Sequence, residues 1–394
     1  MLTPLAPPMN RTFASPIVAS RKWLEGVTFP PDRPLINVSQ AAPMEAPPLA
    51  LRKEIARIAL EDPSAHLYGP VLGMPELRAQ LAKDWSAAYH AEISPEQVAI
   101  TSGCNQAFSS VMSTIAASGD EIILVTPWYF NHKMWCDMNG VHAVPLKTKD
   151  DLLPDLEEAA RLISPRTRAI VLITPNNPGG VEYPPELLTK FYALARDRGL
   201  MLVLDETYRD FDSRTEVPHY LFRQPDWQNT LIHLYSFSKA FRLTGHRVGA
   251  MIASPERLEQ VEKYLDTVAI CPNQIGQRAA LWGLQNLGDW VAGERTEILA
   301  RRQAIIDGFP VLAQKGWHLL GCGAFFAYVS HPLDMPSSEL APWLVREAGV
   351  LLLPGTDFMP KGDKRAEQQL RIAFANIDQA GITELFTRLA KIAP

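Results

Sequence analysis

Six short apolar runs, each closed by turn-forming residues and separated by helical stretches, constrain this chain more than any other feature. They are QVAIT (97–101), EIILVTP (121–127), AIVLITP (169–175), LMLVLDE (200–206), LIHLYS (231–236) and RVGAMIA (247–253). Strands that are apolar at nearly every position need cover on both faces, which a parallel sheet between layers of helices provides. The intervening segments have helical spacing. ELRAQLAKDWSAAYH (76–90) puts Leu77, Leu81 and Trp85 on one side. CNQAFSSVMSTIAA (104–117) and PELLTKFYALARDRG (185–199) follow the same pattern, the latter opening at Pro184–Pro185 as helices often do. The predicted class is α/β, with a mostly parallel sheet covered by helices on both faces.

Both ends of the chain read differently. Long helical stretches (256–268, 276–285 and 294–309) precede four strand-like runs, WHLLG, AFFAYV, VLLLPG and LRIAFA. With helices at SSELAPWLVREAG and ITELFTRLAK, these predict a smaller α+β domain. Ten of the 33 prolines fall in the first fifty residues, which predicts an extended arm, with Trp23, Phe29, Leu35, Ile36 and Val38 available for packing. The expected division is an arm over 1–48 that packs with the small domain, a large α/β domain over 49–285 and the small domain over 286–394.

Composition excludes several classes. The apolar share of 47% and charged share of 21% suit a globular chain with a sizeable core. With 38 basic and 43 acidic residues the net charge is −5, and no basic block is present, so neither nucleic acid nor an anionic membrane is the expected partner. No uncharged apolar run approaches the roughly 18 residues of a bilayer span. The first residues lack the charged head and apolar core of a signal peptide. Cys104, Cys136, Cys271 and Cys322 are widely spaced with no C-x-x-C pair, so neither a disulfide framework nor a metal site is expected. A reducing, cytoplasmic compartment is the expectation.

Polar residues gather where the apolar runs end: Asn177, Asp205, and Ser236 to Lys239. Ligands of open α/β sheets collect at the carboxyl ends of strands. The strongest local pattern is SFSKAFRLTGHRVG (236–249), in which Lys239 follows a strand and two serines, with Arg247 eight residues on. An isolated lysine is ordinarily a solvated surface charge. A lysine desolvated beside another cation loses part of its preference for the ammonium form and can attack a carbonyl.

This segment resembles the cofactor-lysine motif of the fold-type I pyridoxal-phosphate aminotransferases, the aspartate-aminotransferase-like class I/II group. Six further landmarks occur in the family's order: YGPVLGMPELR (68–78), TSGCNQAF (101–108), PWYF (127–130), NNPGG (176–180), DETY (205–208) and LRIAFAN (370–376). The resemblance spans roughly residues 35 to 380. It implies that pyridoxal 5'-phosphate is bound by the large domain, that Lys239 forms the Schiff base, and that an amino group passes from an L-amino acid to a 2-oxo acid through a 1,3-proton shift. Asp205 matches the aspartate that keeps the pyridine nitrogen protonated, where the residues alone would also permit a helix N-cap. Asn177 and Tyr208 match the groups on the cofactor's phenolic oxygen, and Tyr129 matches the aromatic stacked on its ring. Gly103, Cys104, Asn105, Ser236, Ser238 and Arg247 match the phosphate cradle. Tyr68 matches a tyrosine that reaches the partner subunit's phosphate, which implies a homodimer with shared active sites. Arg371 matches the anchor of the substrate α-carboxylate, beside Asn177 and the segment at Ala41; an internal ion pair is the alternative for a charge in an apolar strand.

Two departures bear on the substrate. Ala41 and Ala42 stand where the family often has glycine, and Gly179 stands where threonine is frequent. The aromatics Trp128, Tyr129, Phe130 and Trp135, with Trp23 able to reach the entrance from the arm, favour a neutral or aromatic amino acid over a dicarboxylate. The same residue set would serve a β-eliminating C–S lyase, and a non-catalytic effector-binding module is a more distant alternative. No G-x-G-x-x-G follows a strand, which argues against a dehydrogenase.

Overall fold

The computed structural model describes Thr3, residues 6–43 and residues 45–392. The N-terminal region contains helices α1 (Pro7–Arg11) and α2 (Pro16–Lys22) and a two-residue strand β1 (Ile36–Asn37). The proline-rich start is therefore not extended throughout, as its composition had predicted. Both helices open on proline, because the first helical position needs no N–H and suits proline's fixed φ. Proline marks helix starts here.

The central unit runs α3 (Leu49–Glu61), α4 (Pro75–Tyr89), β2 (Val98–Thr101), α5 (Cys104–Met112), β3 (Glu121–Thr126), α6 (Phe130–Asn139) and β4 (His142–Lys147). It continues with α7 (Leu156–Leu162), β5 (Thr167–Ile173), α8 (Pro185–Asp197), β6 (Met201–Asp205), β7 (Leu231–Ser236), α9 (Phe237–Ala240), β8 (Gly249–Ile252), α10 (Pro255–Ala269) and α11 (Gln274–Asn286). Seven strands form one sheet in the order β2-β8-β7-β6-β5-β3-β4. Only β8 runs against its neighbours. Strand β4 escaped the sequence reading because it is the sheet's edge, half exposed and interrupted by Pro145, so its pattern is mixed. Helix α5 ends at Met112, five residues short of the predicted end.

Side chains alternate across the sheet. Leu202 and Leu204 of β6 face the core shared with α4 and α8, and Met201 and Val203 face the core shared with α5 and α10. Each fully buried leucine or valine contributes about 2 kcal/mol by leaving water. The same alternation sends Asp205 to the α5 side and Glu206 to the other.

Beyond α11 come α12 (Gly288–Gly308), α13 (Pro310–Ala313), β9 (His318–Gly323), β10 (Phe326–Ser330), α14 (Ser337–Ala348), β11 (Val350–Leu351), β12 (Leu353–Pro354), β13 (Gln369–Ile372) and α15 (Gln379–Ile392). A four-stranded antiparallel sheet, β12-β13-β10-β9, packs against α12 and α14, and α15 packs on those helices. Strand β1 pairs in parallel with β11, placing Ile36 opposite Val350. Ile36, Val38 and Ala41 join this second core. Trp23 packs there too, half-buried, and does not line the cavity whose entrance it was expected to be able to reach. No helix among the described residues is long and apolar enough to cross a membrane.

Candidate active site

Topology brings four strand ends to one edge. Strands β2, β5, β6 and β7 are mutually parallel, so Thr101, Ile173, Asp205 and Ser236 end on the same side. Strand β8 starts there, with Gly249 opposite both Thr101 and Ser236. A cavity of about 470 Å³ opens at this edge and is closed over by Arg371 and the N-terminal segment at Gln40–Ala42.

Lys239 sits on the four-residue helix α9, directly after β7. Phe237 and Ala240 are buried on either side and fix that helix, which leaves the lysine facing the cavity. The Nζ group donates to the Ala41 carbonyl at 2.6 Å. Desolvation, followed by the nearby Arg247 and Arg371, pushes the amine down to about 8.

Asp205 is 4% exposed. Its Oδ1 accepts the Thr207 backbone N–H at 3.0 Å, and its Oδ2 lies 3.6 Å from His132 Nε2. Burial raises the carboxyl above its usual range. Burial also takes His132 down to about 3, so this imidazole is neutral and brings no charge. His132 stacks on Phe108 with centroids 3.8 Å apart.

Arg371, in β13, is 2% exposed. Its Nη1 donates to Asn177 Oδ1 at 3.0 Å, its Nη2 donates to the Ser39 carbonyl, and its Nε has no partner. Among the described residues no carboxylate lies within ion-pair distance of Arg371 or of Lys239. A buried guanidinium held only by neutral groups is costly until an anion arrives.

The other end of the cavity is built for an anion. Gly103 caps α5 at φ +86, and a Cβ there would lie 2.2 Å from Arg247 Nη2. Arg247 itself holds a left-handed φ of +53 and donates to Ser238 Oγ at 3.4 Å. The first N–H groups of α5, at Cys104 and Asn105, have no intrahelical acceptors. Arg247, Ser236, Ser238 and this helix start surround one space.

Tyr129 caps the start of α6 and lines the cavity. Its hydroxyl donates to Asn105 Oδ1 at 3.4 Å and accepts from Asn131 Nδ2 at 2.9 Å. Tyr208 is buried against Phe325 and Phe326, with Lys239 Nζ 5.8 Å from its ring centre. Ala41 contributes its carbonyl to Lys239, while the contact with Arg371 comes from Ser39. Tyr68 is 81% exposed and lies outside this cavity in the single chain. The sequence reading missed His132, which is three residues beyond Tyr129 on α6 and therefore on the same side of that helix. It also missed Ile17, Val18 and Arg21, which line the cavity from the arm.

Residues 33–389 match the family model described as aminotransferase class I and II. The chain belongs to that family. The aspartate/prephenate aminotransferase of Thermus thermophilus is 31% identical over 331 residues, covering 82% of this chain and 84% of that one. The aromatic aminotransferase ISS1 of Arabidopsis thaliana is 28% identical, covering 84% and 82% respectively. Among solved structures, the Thermus thermophilus aspartate aminotransferase with maleate superimposes with a TM-score of 0.88 at 26% identity, covering 99% of this chain and 100% of that one.

The protein is thus a pyridoxal 5'-phosphate-dependent transaminase whose substrates are amino acids and 2-oxo acids. The cavity of this aminotransferase suits that cofactor chemically. It offers an amine of lowered basicity for an aldehyde, a carboxylate short of a cation for a protonated ring nitrogen, and a cradle around Gly103 and Arg247 for a phosphate.

Proposed function

We propose that the residues of this cavity divide the work of transamination as follows. Arg371, steadied by Asn177, takes the substrate α-carboxylate in a two-pronged grip. Lys239 would hold the cofactor's aldehyde and, when its amine is free, would take the proton from the substrate's α-carbon onto Nζ. Pyridoxal 5'-phosphate supplies the aldehyde and a ring that accepts the electron pair left by that proton. Asp205 would pair with the ring nitrogen and keep it protonated. Tyr208 and Asn177 would hold the phenolic oxygen, Tyr129 would bound the ring's space, and Arg247, Ser236, Ser238 and the start of α5 would hold the phosphate. The observation that carries this reading is the meeting in one cavity of Lys239, Arg371 and Asp205, with neither cation in ion-pair contact with a carboxylate among the described residues and Asp205 within ion-pair reach only of a neutral imidazole.

Replacing Lys239 with alanine tests it. The purified holoprotein is expected to lose at least about 100-fold in transamination rate. A variant that kept the wild-type rate would remove the assignment. In the cofactor-free chain the folded state binds the Lys239 proton less tightly than the unfolded state does. Stability from this group therefore rises with pH between about 8 and its usual value, and is smallest below that window.

The enzyme is read as a cytoplasmic homodimer, with residues 1–48, 49–285 and 286–394 as arm, large domain and small domain. Leu60, Leu67, Tyr68, Val268 and Ile270 are exposed apolar groups. The Tyr68 loop is tied to their segment by the Gly69 N–H donating to Cys271 Sγ at 3.4 Å. A second copy would cover this surface and receive Tyr68 at its phosphate. Sedimentation giving a monomer at micromolar concentration would exclude that arrangement. Ile17, Val18, Tyr129 and Phe130 around the substrate end support a neutral or aromatic amino donor, as does the aromatic aminotransferase among the relatives. Rates for a panel of amino donors with 2-oxoglutarate and with pyruvate decide the point.

A further inference from the structure

Three residues beyond Lys239, the backbone turns left-handed at a residue that is not glycine. Arg242 has φ +54, and its N–H donates to the Lys239 carbonyl at 3.3 Å. Glycine would hold this conformation without strain, so an arginine here is explained by its side chain. That side chain ties three segments together. Its Nε and Nη2 grip the Glu294 carboxylate of α12 at 2.8 and 2.9 Å. Its Nη1 donates to the Glu45 carboxylate and, at 3.4 Å, to the Ala46 carbonyl, both on the N-terminal segment. The guanidinium also lies 5.4 Å from the Trp290 ring centre.

The Arg242 side chain is only 14% exposed and Glu294 only 21%. A two-pronged pair this sheltered holds its geometry better than a surface ion pair does. A second cavity of about 200 Å³ lies among Glu45, Arg242, Glu294, Phe211 and Ile298, and it shares Lys239 with the first. Four residues before Glu45, the same segment presents the Ala41 carbonyl that receives the Lys239 Nζ proton.

We propose that Arg242 is a positioning residue for Lys239: by pinning the segment at 45–46 and α12 to the turn after the lysine, it keeps the Ala41 carbonyl seated on the ε-amine and the arm shut behind it. The functional weight of this proposal rests on Lys239 being the reacting amine; the mechanical part does not. Charged or titratable groups near the ε-amine are Arg247, Arg371, Cys104 and Asp205, with the Tyr208 ring centre 5.8 Å away. Arg242 bonds none of them. A variant that keeps the turn and its N–H while removing the side chain therefore reports on the segments the side chain ties.

The test compares R242G, R242K, E294Q and E45Q in the full-length protein. Glycine suits the left-handed turn, so R242G removes the tie without straining the backbone. In the holoprotein, amide hydrogen exchange over residues 38–48 is expected to quicken at least about threefold in R242G. E294Q should follow it closely, while E45Q and R242K should change less. In the cofactor-free chain, trinitrobenzenesulfonate labelling of Lys239, mapped by peptide mass, should quicken in the same order. Unchanged exchange over 38–48 with unchanged labelling would overturn the proposal. Exchange that rises evenly along the whole chain would also overturn it, since that marks general destabilisation. If Lys239→Ala retained transamination, the reading of the lysine would fail while the exchange result still judged the tie.

Discussion

Asp205 and Glu206 are consecutive residues at the end of β6, both buried, yet their carboxyl groups depart from the usual range in opposite directions. Burial raises both. Asp205, on the cavity side, finds little to oppose that: one backbone N–H, the neighbouring thiol and hydroxyl, and a neutral imidazole at 3.6 Å. Glu206, on the opposite side, receives the Tyr89 hydroxyl and lies 2.8 Å from His233 Nε2 and 3.5 Å from His219 Nε2. Those imidazoles bring it well below the ordinary carboxylate range despite its burial. One carboxylate is held by a hydroxyl and an imidazole in a set that ties α4 to the sheet, and the other is left facing a cavity. A polar group buried without its partner is a cost to the empty protein and a binding energy for whatever completes it.

The largest effect is expected for Asp205→Asn. Transamination should fall about 10³-fold, since a fixed charge aimed at the reacting centre is removed. The cofactor-free chain should gain about 1 kcal/mol at neutral pH by denaturant unfolding. The sign follows from the raised carboxyl: the folded state loses stability as pH climbs past the usual carboxylate value, and asparagine escapes that loss. A less stable Asp205→Asn protein would show that the carboxylate on this side is already satisfied.

Glu206→Gln should do the reverse, costing about 3 kcal/mol of stability because it breaks a buried hydrogen-bonded set. Its folded fraction should keep kcat within about threefold of wild type. The lowered carboxyl contributes stability that is present above the usual carboxylate value and is lost as pH falls. Wild type and variant should therefore converge in acid.

Arg371→Lys sharpens the same contrast on the cationic side. Loss of the two-pronged grip should raise KM for amino acids about 100-fold with a smaller effect on kcat. The smallest change is expected for His132→Phe. A neutral ring 3.6 Å from Asp205 is too distant for a good hydrogen bond, so kcat/KM should fall by only about threefold.

Much of this was legible in order along the chain. The apolar runs located six of the seven strands of the large sheet, because strands covered on both faces carry their burial in their composition. The exposed edge strand His142–Lys147 carries no such mark and was missed. The candidate site residues that end those strands, Asp205 and Ser236, were found through the same signal. His132 was not, because a histidine on a helix looks alike whether it faces solvent or an aspartate.

Period and punctuation, local properties of the chain, determined the α/β class and the edge of the sheet where ligands gather. Which charges would remain unpartnered was decided only by tertiary structure. The motif singles out Asp205, but residue order does not show that Glu206 would meet Tyr89, His219 and His233, or that Arg371 would meet Asn177 and Ser39 across 194 and 332 residues. Electrostatic satisfaction depends on what lies within a few ångströms, and distance along the chain does not report distance through the fold.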